Sequence, residues 1–211
     1  MERRHGWILA ILLIGAALPD LSLAGWTGVD RDSGRGVEGS SKRRLLDDDG
    51  KEDESGPSCV CIFDVDGTVW LSENGDARKG KVAGEAVGVI NKCKDKGYGV
   101  AIASGSPEND VKKVLQKQVN GDIFNEDFFQ SGAFRAGNLV KSTELNSILD
   151  FFDVEDPGCA MFFDDEDINE VFSILTGVTH HNVDESIGVT MKDLKRASEN
   201  VPSGCGCPEF K

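Results

Sequence analysis

The chain has 211 residues and a formal net charge of −14, and this length accommodates one ordinary domain with appendages. The acidic balance argues against a nucleic-acid-binding protein, because such proteins need a basic surface. The 25 glycines show no Gly-X-Y period, which excludes a collagen-like chain. The sequence also lacks heptads and internal repeats.

Residues 1–24 have the pattern of a secretory signal peptide. Arg3 and Arg4 supply the positive charge, and residues 6–18 form an apolar stretch that is short for a membrane span. The small residues of Ser22-Leu23-Ala24 predict the cleavage position. A buried amphipathic helix or a short anchor is the structural alternative. Cleavage predicts a secreted protein, or one in the endomembrane lumen, with no stable membrane span.

Residues 25–58 are rich in glycine, serine and charged side chains and show no hydrophobic periodicity. Such a segment buries too little apolar surface to offset the entropy of ordering it. We therefore interpret it as a disordered leader. Within it, Lys42-Arg43-Arg44 fits either a processing site or a solvated charge cluster. The remaining residues, 59–211, are predicted to form a single domain.

All six cysteines lie in this predicted domain, and an even number in an exported chain permits disulfides. Cys93 falls on the apolar face of a predicted helix, so we expect it to remain a buried free thiol. Cys59 and Cys159 each begin an apolar strand, but a bridge between adjacent parallel strands is geometrically demanding. Pairing of Cys59 or Cys61 with the C-terminal Cys205-Gly206-Cys207 is the alternative.

Apolar strands alternate with amphipathic helices through the predicted domain. Strands are predicted at residues 60–65, 98–103, 123–130, 159–163 and 178–183. Helices are predicted at residues 82–96 and 106–115, from about 142 to 152, at 168–175 and from 190 to about 199. This alternation predicts an α/β fold with a doubly wound, Rossmann-like parallel sheet. Functional groups of such sheets lie at the carboxyl ends of the strands.

The first predicted strand runs directly into Asp64 and Asp66, which are two residues apart and point the same way if the chain stays extended. Like charges this close are unfavourable unless a cation or a proton separates them. Mg²⁺ suits such a site because it binds carboxylates together with phosphate oxygens. Gly67 permits the tight turn that follows. A solvated acidic turn is the alternative, and it fits poorly after an apolar strand.

A serine ends the second predicted strand. The hydroxyl of Ser104, with nearby backbone N–H groups, is suited to hold a phosphoryl oxygen. A simple helix entry is the alternative, since a serine before glycine often has that role. Ser106 and Pro107 then predict the N-cap and the first residue of the following helix.

Charged residues mark two further positions. Lys141 lies at a predicted helix start, where a cation is locally unfavourable and a bound anion would offset the cost; an exposed surface lysine is the alternative.

The strand at 159–163 runs into Asp164 and Asp165. These acids can supply another carboxylate to the cation site, and they can also cap the next helix. Both roles can hold, because the segment has more acids than capping needs.

The order of these motifs resembles the haloacid dehalogenase superfamily. The motifs that carry the resemblance are Asp64-Val65-Asp66-Gly67-Thr68 after an apolar strand, Ser104, Lys141 and the doublet Asp164-Asp165. The first motif is specific, and the four in this order are strongly so. The resemblance covers roughly residues 60–199, and the stretch 161–169 looks closest to the superfamily's magnesium-dependent phosphatases.

The resemblance implies a Mg²⁺-dependent phosphatase that hydrolyses phosphate monoesters through an aspartyl-phosphate. Asp64 would be the nucleophile, and Asp66 would protonate the leaving oxygen and then activate water. Ser104 would hydrogen-bond the transferring phosphoryl group, and Lys141 would neutralise its charge and steady Asp64. The substrate would be a phosphorylated small molecule or a phosphoprotein.

The resemblance also implies a set of metal ligands. Mg²⁺ would be bound by Asp64, the main-chain carbonyl of Asp66, and Asp165, because the second acid of the doublet is the family's usual ligand. Supporting roles, such as orienting the site, would fall to Thr68, Asp164 and Asn169.

The chain departs from the magnesium-dependent phosphatases in two ways. Gly67 stands where those proteins usually have an aromatic residue. The spacings from Asp64 to Ser104 and on to Lys141 leave no room for a sizeable cap domain, so we expect an open, capless site for bulky substrates. A non-catalytic secreted interaction protein on this scaffold is the main alternative, and the complete acidic set argues against it. A receiver-type domain is disfavoured, since the early acids of receivers are adjacent.

Overall fold

The computed structural model describes residues 57–73, 76–137 and 140–210, all within the compact unit Lys51–Lys211. The signal peptide predicted at residues 1–24 lies outside the described residues. So does the predicted leader, apart from its last two residues. No helix in the described part of the chain is long and apolar enough to span a bilayer.

The described residues form a parallel sheet and a separate hairpin. The strands are β1 Val60–Phe63, β2 Trp70–Glu73, β3 Asp76–Val82, β4 Gly99–Ser104, β5 Phe134–Ala136, β6 Ala160–Asp164 and β7 Thr179–Asn182. β2 and β3 pair as an antiparallel hairpin. The other five strands form the sheet in the order β5-β4-β1-β6-β7, and every pairing within it is parallel. The predicted α/β fold with a doubly wound parallel sheet is confirmed.

Helices lie between successive strands of the sheet along the chain, and the last helix follows β7. They are α1 Ala86–Asp95, α2 Glu108–Val114, α3 Glu126–Gln130, α4 Lys141–Phe152, α5 Glu170–Thr176 and α6 Met191–Ser198. The N-cap of α2 is Pro107 rather than the predicted Ser106. The predicted capping residue Thr190 does begin α6, where it forms a capping box with Asp193.

The central strand β1 is buried on both faces of the sheet. Cys61 and Phe63 pack in the hydrophobic cluster that contains Ile90 of α1. Val60 and Ile62 pack in the cluster on the other face, which contains residues of α4. Side chains of a strand alternate between the two faces of the sheet, so a strand covered on both faces needs a continuous apolar run. The carboxyl end of β1 lies between the carboxyl ends of β4 and β6.

The strand predicted at residues 123–130 is wrong, because α3 occupies most of this segment. Asn125 begins the helix, and its side chain accepts a hydrogen bond from the backbone N–H of Phe128. Glu126 and Asp127 lie in the first turn, where negative charge favours a helix. The sheet instead takes its edge strand β5 from the residues that follow.

The hairpin β2–β3 was not predicted from the sequence. Its second strand ends at Val82, where the prediction began a helix, and α1 begins at Ala86 instead. Among the described residues, the hairpin is the only element inserted between β1 and α1. The insertion is therefore much smaller than a cap domain.

Helix α5 was predicted from apolar residues that turn out to face solvent. Val171 and Leu175, on which the prediction rested, are 50% and 71% exposed, whereas Ser173 and Thr176 are buried. A buried hydroxyl group is tolerated when it is hydrogen-bonded, and Thr176 Oγ1 donates to the carbonyl of Phe172 at 3.0 Å, whereas Ser173 Oγ has no partner among the described residues. The apolar pattern thus locates the helix but not its buried face.

The structure contains three disulfides, which are Cys59–Cys207, Cys61–Cys93 and Cys159–Cys205. The expectation that Cys93 is a free thiol is wrong, because α1 packs on the face of β1 from which Cys61 projects. A Cys59–Cys159 bridge is also absent, although the register aligns the two strands that follow these residues. Each of them bonds instead to the C-terminal segment, as the alternative allowed for Cys59.

We predict that peptide mapping of purified protein under non-reducing conditions yields the three pairs Cys59–Cys207, Cys61–Cys93 and Cys159–Cys205. The substitution Cys207→Ser should lower the free energy of unfolding by about 2–4 kcal/mol, since the Cys59–Cys207 bond closes a long loop. Ser203→Ala, in the same C-terminal segment, is the matched control and should have a much smaller effect. Detection of six free thiols would contradict this disulfide assignment.

Candidate active site

The predicted site residues converge at the carboxyl ends of the three central strands. Asp64 directly follows β1, and Ser104 and Asp164 are the last residues of β4 and β6. The register pairs Phe63 with both Ile102 and Phe163, and the backbone N–H of Asp64 donates to the carbonyl of Phe163 at 2.9 Å. Residues far apart in the sequence therefore lie side by side.

Lys141, the first residue of α4, reaches into this cluster. Its Nζ donates to Asp64 Oδ1 at 2.6 Å, to the carbonyl of Ala103 at 2.7 Å and to Asp164 Oδ2 at 3.2 Å. The side chain is buried, so it is not the exposed surface lysine of the alternative interpretation. Two carboxylates of the protein itself compensate for a cation at a helix start.

The cluster carries more negative than positive charge. Oxygens of Asp64, Asp164 and Asp165 lie within 4.8 Å of one another, and Lys141 is the only cation that forms ion pairs with them among the described residues. Burial raises the pKa of Asp64 to about 7; Lys141 opposes this shift and the charge of Asp164 adds to it. The excess charge calls for a bound proton or a cation.

Lys141 itself stays protonated in this environment. Burial alone would lower the pKa of its ammonium, but the adjacent carboxylates of Asp64 and Asp164 raise the pKa above the usual value. The lysine is therefore a permanent positive charge at the site and cannot serve as its base.

The two acids of the doublet have different surroundings. Asp164 Oδ1 accepts hydrogen bonds from the backbone N–H of Glu166 at 2.9 Å and from Asn169 Nδ2 at 2.8 Å, while its Oδ2 faces Lys141. The protein thus occupies both of its oxygens. Asp165 is only half-buried and forms no ion pair with the residues that the structure describes, which leaves its carboxylate available to a ligand.

The pKa of Asp165 is raised to about 6. Burial is the main cause, and the charges of Asp164, Glu166 and Glu185 add to it. A cation at this carboxylate would relieve the repulsion from its neighbours. The environment of Asp165 thus fits the metal-ligand role expected for the second acid of the doublet.

Gly67 lies directly under Asp165. Its φ is +72°, and a Cβ at this position would come within 2.3 Å of Asp165 Cγ. The backbone conformation favours glycine, and the close approach leaves no room for any side chain. The departure from the aromatic residue expected at this position therefore has a local cause, which is the placement of the Asp165 carboxylate.

Asp66 lies apart from the carboxylate cluster. The hydroxyl of Ser106 donates a hydrogen bond to Asp66 Oδ2, and the backbone N–H of Ser106 donates to Ser104 Oγ at 3.3 Å. Sequence reasoning assigned Ser106 to a helix cap and missed this contact. Ser106 lies two residues after Ser104, at the carboxyl end of the same strand, and this position in the sequence could have indicated the contact with Asp66.

Two supporting residues of the prediction are buried beside the site. Asn169 donates a hydrogen bond to Asp164, as described above, and its orienting role stays a prediction. Thr68 is fully buried, and its carbonyl accepts a hydrogen bond from the backbone N–H of Val189 at 2.9 Å. Thr68 thereby ties the turn after Asp66 to the loop that follows β7.

The cluster opens into a cavity of about 410 Å³, lined by Asp64, Asp66, Gly67, Ser72, Asp165, Glu166, Glu185 and Ser186. Sequence reasoning missed Ser72, Glu185 and Ser186, which come from the hairpin and from the loop after β7. A larger cavity of about 640 Å³ lies along the C-terminal segment. It contains none of the predicted site residues, so the acidic cavity is the candidate active site.

A family model described as haloacid dehalogenase-like hydrolase matches residues 61–168. This match spans half of the chain and includes the Asp64, Ser104, Lys141 and Asp164-Asp165 motifs. The chain belongs to this family. Membership of the haloacid dehalogenase superfamily is thereby confirmed, while the closer likeness to its magnesium-dependent phosphatases stays a prediction. A comparison with curated protein sequences finds no match.

One solved structure of similar fold agrees with the α/β architecture. The N-terminal part of a Bacteroides fragilis protein, which contains a phosphatase domain in complex with Mg, is 19% identical with a TM-score of 0.50. That match covers 70% of this chain and 40% of the other.

Two further structures show weaker likeness. A cobalt-bound deoxy-D-mannose-octulosonate 8-phosphate phosphatase from Haemophilus influenzae is 18% identical, with a TM-score of 0.43 and coverages of 58% and 68%. A haloacid dehalogenase-like family protein from Streptococcus pneumoniae is 11% identical, with a TM-score of 0.47 and coverages of 66% and 91%.

We predict that Gly67→Ala destabilises the protein, whereas Gly84→Ala does not. A left-handed backbone costs an alanine about 1–2 kcal/mol, and the added Cβ would also displace the carboxylate of Asp165. At Gly84 the φ is ordinary and an added Cβ would have no other atom within 4 Å, so this substitution should change the free energy of unfolding by less than about 0.5 kcal/mol. Thermal and urea unfolding measure the free energy of unfolding of the two variants. Equal values for Gly67→Ala and Gly84→Ala would refute the close packing at Gly67.

Proposed function

We propose that the protein is a Mg²⁺-dependent phosphatase that hydrolyses phosphate monoesters through an aspartyl-phosphate on Asp64. The observation that carries the proposal is the buried ion pair of Asp64 and Lys141 beside Asp165, at the base of an open cavity. Membership in a hydrolase family supports a hydrolytic reaction. The polar groups that phosphoryl transfer needs for positioning and charge neutralisation are all present.

The donor set suits Mg²⁺. The cluster offers hard carboxylate oxygens, no described cysteine or histidine belongs to it, and Mg²⁺ prefers such ligands together with phosphate oxygens. Asp64 and Asp165 would hold the ion with the main-chain carbonyl of Asp66, while Asp164 orients Lys141. When bound, Mg²⁺ would supply positive charge that draws the phosphoryl group to Asp64 and lowers the repulsion between them.

In the first step Asp64 attacks phosphorus. Lys141 holds Oδ1 at 2.6 Å, which leaves Oδ2 as the attacking oxygen. A bond forms between this oxygen and phosphorus while the ester P–O bond breaks. Asp66 delivers a proton to the departing oxygen, and the hydroxyl of Ser106 holds Asp66 in place for this transfer.

In the second step water hydrolyses the aspartyl-phosphate. Asp66, now ionised, removes a proton from the water as its oxygen bonds to phosphorus. The bond between phosphorus and Asp64 breaks, which restores the carboxylate and releases inorganic phosphate. Ser104 accepts from the N–H of Ser106, so its own proton is free to donate to a phosphoryl oxygen in both steps.

Two further features support the proposal: the small insertion after Asp66 supports an open entrance to the cavity, and the disulfides support an oxidising compartment. Only a hairpin is inserted after Asp66 among the described residues, so bulky phosphoproteins as well as small phosphorylated molecules are proposed substrates. Three disulfides support the proposal of a secreted protein or one in the endomembrane lumen, because disulfides persist in oxidising compartments.

We predict that Asp64→Asn abolishes phosphatase activity without unfolding the protein. The replacement is nearly isosteric, but it removes the nucleophile and one charge of a crowded acidic cluster, so stability should hold or rise. Hydrolysis of p-nitrophenyl phosphate, with and without Mg²⁺, measures the activity. Asp150→Asn, at an exposed aspartate of α4, is the matched control and should retain full activity.

Wild-type turnover by purified Asp64→Asn would refute the covalent mechanism. No turnover by the wild-type protein on any phosphate monoester, with Mg²⁺ present, would refute the proposed function itself.

We predict that Mg²⁺ raises the melting temperature of the wild-type protein by mass action on the folded state. Asp165→Ala should largely abolish this increase, because it removes a carboxylate that is available to the ion. Asp164→Ala should lower the melting temperature without metal, since it removes one of the two carboxylates that Lys141 contacts and the closer acceptor of Asn169, yet retain more of the Mg²⁺ response. Equal responses in wild type and Asp165→Ala would place the metal elsewhere.

A further inference from the structure

Two carboxylates at the cavity wall, those of Glu166 and Glu185, have no cationic partner among the residues that the structure describes. Five of the eight residues that line the cavity are acidic, and none of the eight is a lysine or an arginine. Lys141 and a divalent cation together would balance Asp64, Asp164 and Asp165. Of the acids that line the cavity, Asp66, Glu166 and Glu185 remain. Asp66 is the proposed proton donor and acceptor of the reaction, and neither glutamate forms an ion pair with any lysine or arginine that the structure describes.

This excess charge bears directly on the choice of substrate. A phosphate monoester adds its own negative charge to a cavity that already contains Glu166 and Glu185. Like charges at such distances repel, and the repulsion grows as water is displaced from between them. A positive charge on the leaving group would offset both glutamates, whereas a second negative charge would add to the repulsion.

Hydrogen bonds hold the loop that carries Glu185 in a defined position. The carboxylate of Asp184 accepts from the backbone N–H of Ser186 at 2.9 Å and from its hydroxyl at 2.6 Å. The loop then returns to the site, where the N–H of Val189 donates to the carbonyl of Thr68 at 2.9 Å. The backbone that presents Glu185 is therefore fixed to the turn that follows the nucleophile.

Hydrogen bonds also hold Glu166, which follows the neighbouring strand β6. Its backbone N–H donates to Asp164 Oδ1 at 2.9 Å, and its Oε2 accepts from Asn169 Nδ2 at 3.4 Å. Both glutamates are exposed to solvent and line the same cavity as Asp64 and Asp66. They are thus positioned to meet the part of a substrate that extends away from the phosphoryl group.

We propose that Glu166 and Glu185 select phosphate monoesters whose leaving group carries a positive charge close to the ester oxygen. This inference rests on the proposed phosphatase function and names the substrate class of the same site. Two kinds of substrate carry a positive charge in this position. They are small amino-alcohol phosphates, and phosphopeptides with basic residues beside the phosphorylated residue.

The first test compares three small phosphate esters of similar size. Phosphoethanolamine carries an ammonium, propyl phosphate is its neutral counterpart, and phosphoglycolate carries a carboxylate. With Mg²⁺ at low ionic strength, kcat/KM should fall in that order. The difference between the first two should be about threefold or more, the size expected for exposed charge pairs, and it should shrink in 0.5 M salt.

The second test uses substitutions at the cavity wall. Glu166→Gln and Glu185→Gln should each reduce the preference for phosphoethanolamine over propyl phosphate by about twofold to threefold. Glu155→Gln, at an exposed glutamate outside the cavity lining, is the matched control and should leave the preference unchanged.

A third arm distinguishes the two sources of positive charge. Phosphoserine peptides that differ only in having arginine, glutamine or glutamate beside the phosphoserine are compared with the small esters. An arginine preference that exceeds the phosphoethanolamine preference identifies basic phosphopeptides, and the reverse order identifies amino-alcohol phosphates. Either result supports the selection by charge.

Equal kcat/KM for cationic and neutral esters, or a preference that survives both glutamine substitutions, would overturn the inference while leaving the phosphatase function intact. Absence of turnover on every ester would refute the proposed function, and the inference with it.

Discussion

The site depends on one electrostatic constraint, which is that Asp64, Asp164 and Asp165 lie together while Lys141, their one cationic partner among the described residues, pairs with only the first two. Asp64 and Asp164 are buried because β1 and β6 are adjacent in the middle of the sheet. Burial of charges is costly unless partners and hydrogen bonds compensate for it. Lys141 provides that compensation for two of the acids but leaves a net negative charge, which suits the cation of the proposed function.

The amino and carboxyl ends of the central strands carry different features. At the amino ends of β1 and β6, disulfides join Cys59 and Cys159 to the C-terminal segment. At the carboxyl ends, the same two strands deliver Asp64 and Asp164. The two disulfides thus cross-link the starts of these strands, while the acidic cluster lies at their opposite ends.

The reacting groups and the cavity wall have different structural origins. The groups proposed to react or to bind phosphate follow regular strands or begin α4, and parallel pairing sets their mutual positions. The wall comes from the hairpin and from the loop after β7, which supplies Glu185. A fold of this kind can therefore retain one reaction while its loops change the substrate, because the loop side chains do not take part in the strand pairing.

The sequence by itself determined the α/β fold and the positions of Asp64, Asp66, Ser104 and Lys141, because each is marked by a local change from apolar to polar residues at the end of a strand or the start of a helix. Parallel pairing then brings strand ends together in any such sheet. Only the tertiary structure decided that Asp164 bonds the protein while Asp165 is open to a ligand, that Ser106 holds Asp66, and that Cys93 is bonded to Cys61. These contacts join residues whose distance depends on strand register and on how the helices pack against the sheet, and local periodicity carries no information about either.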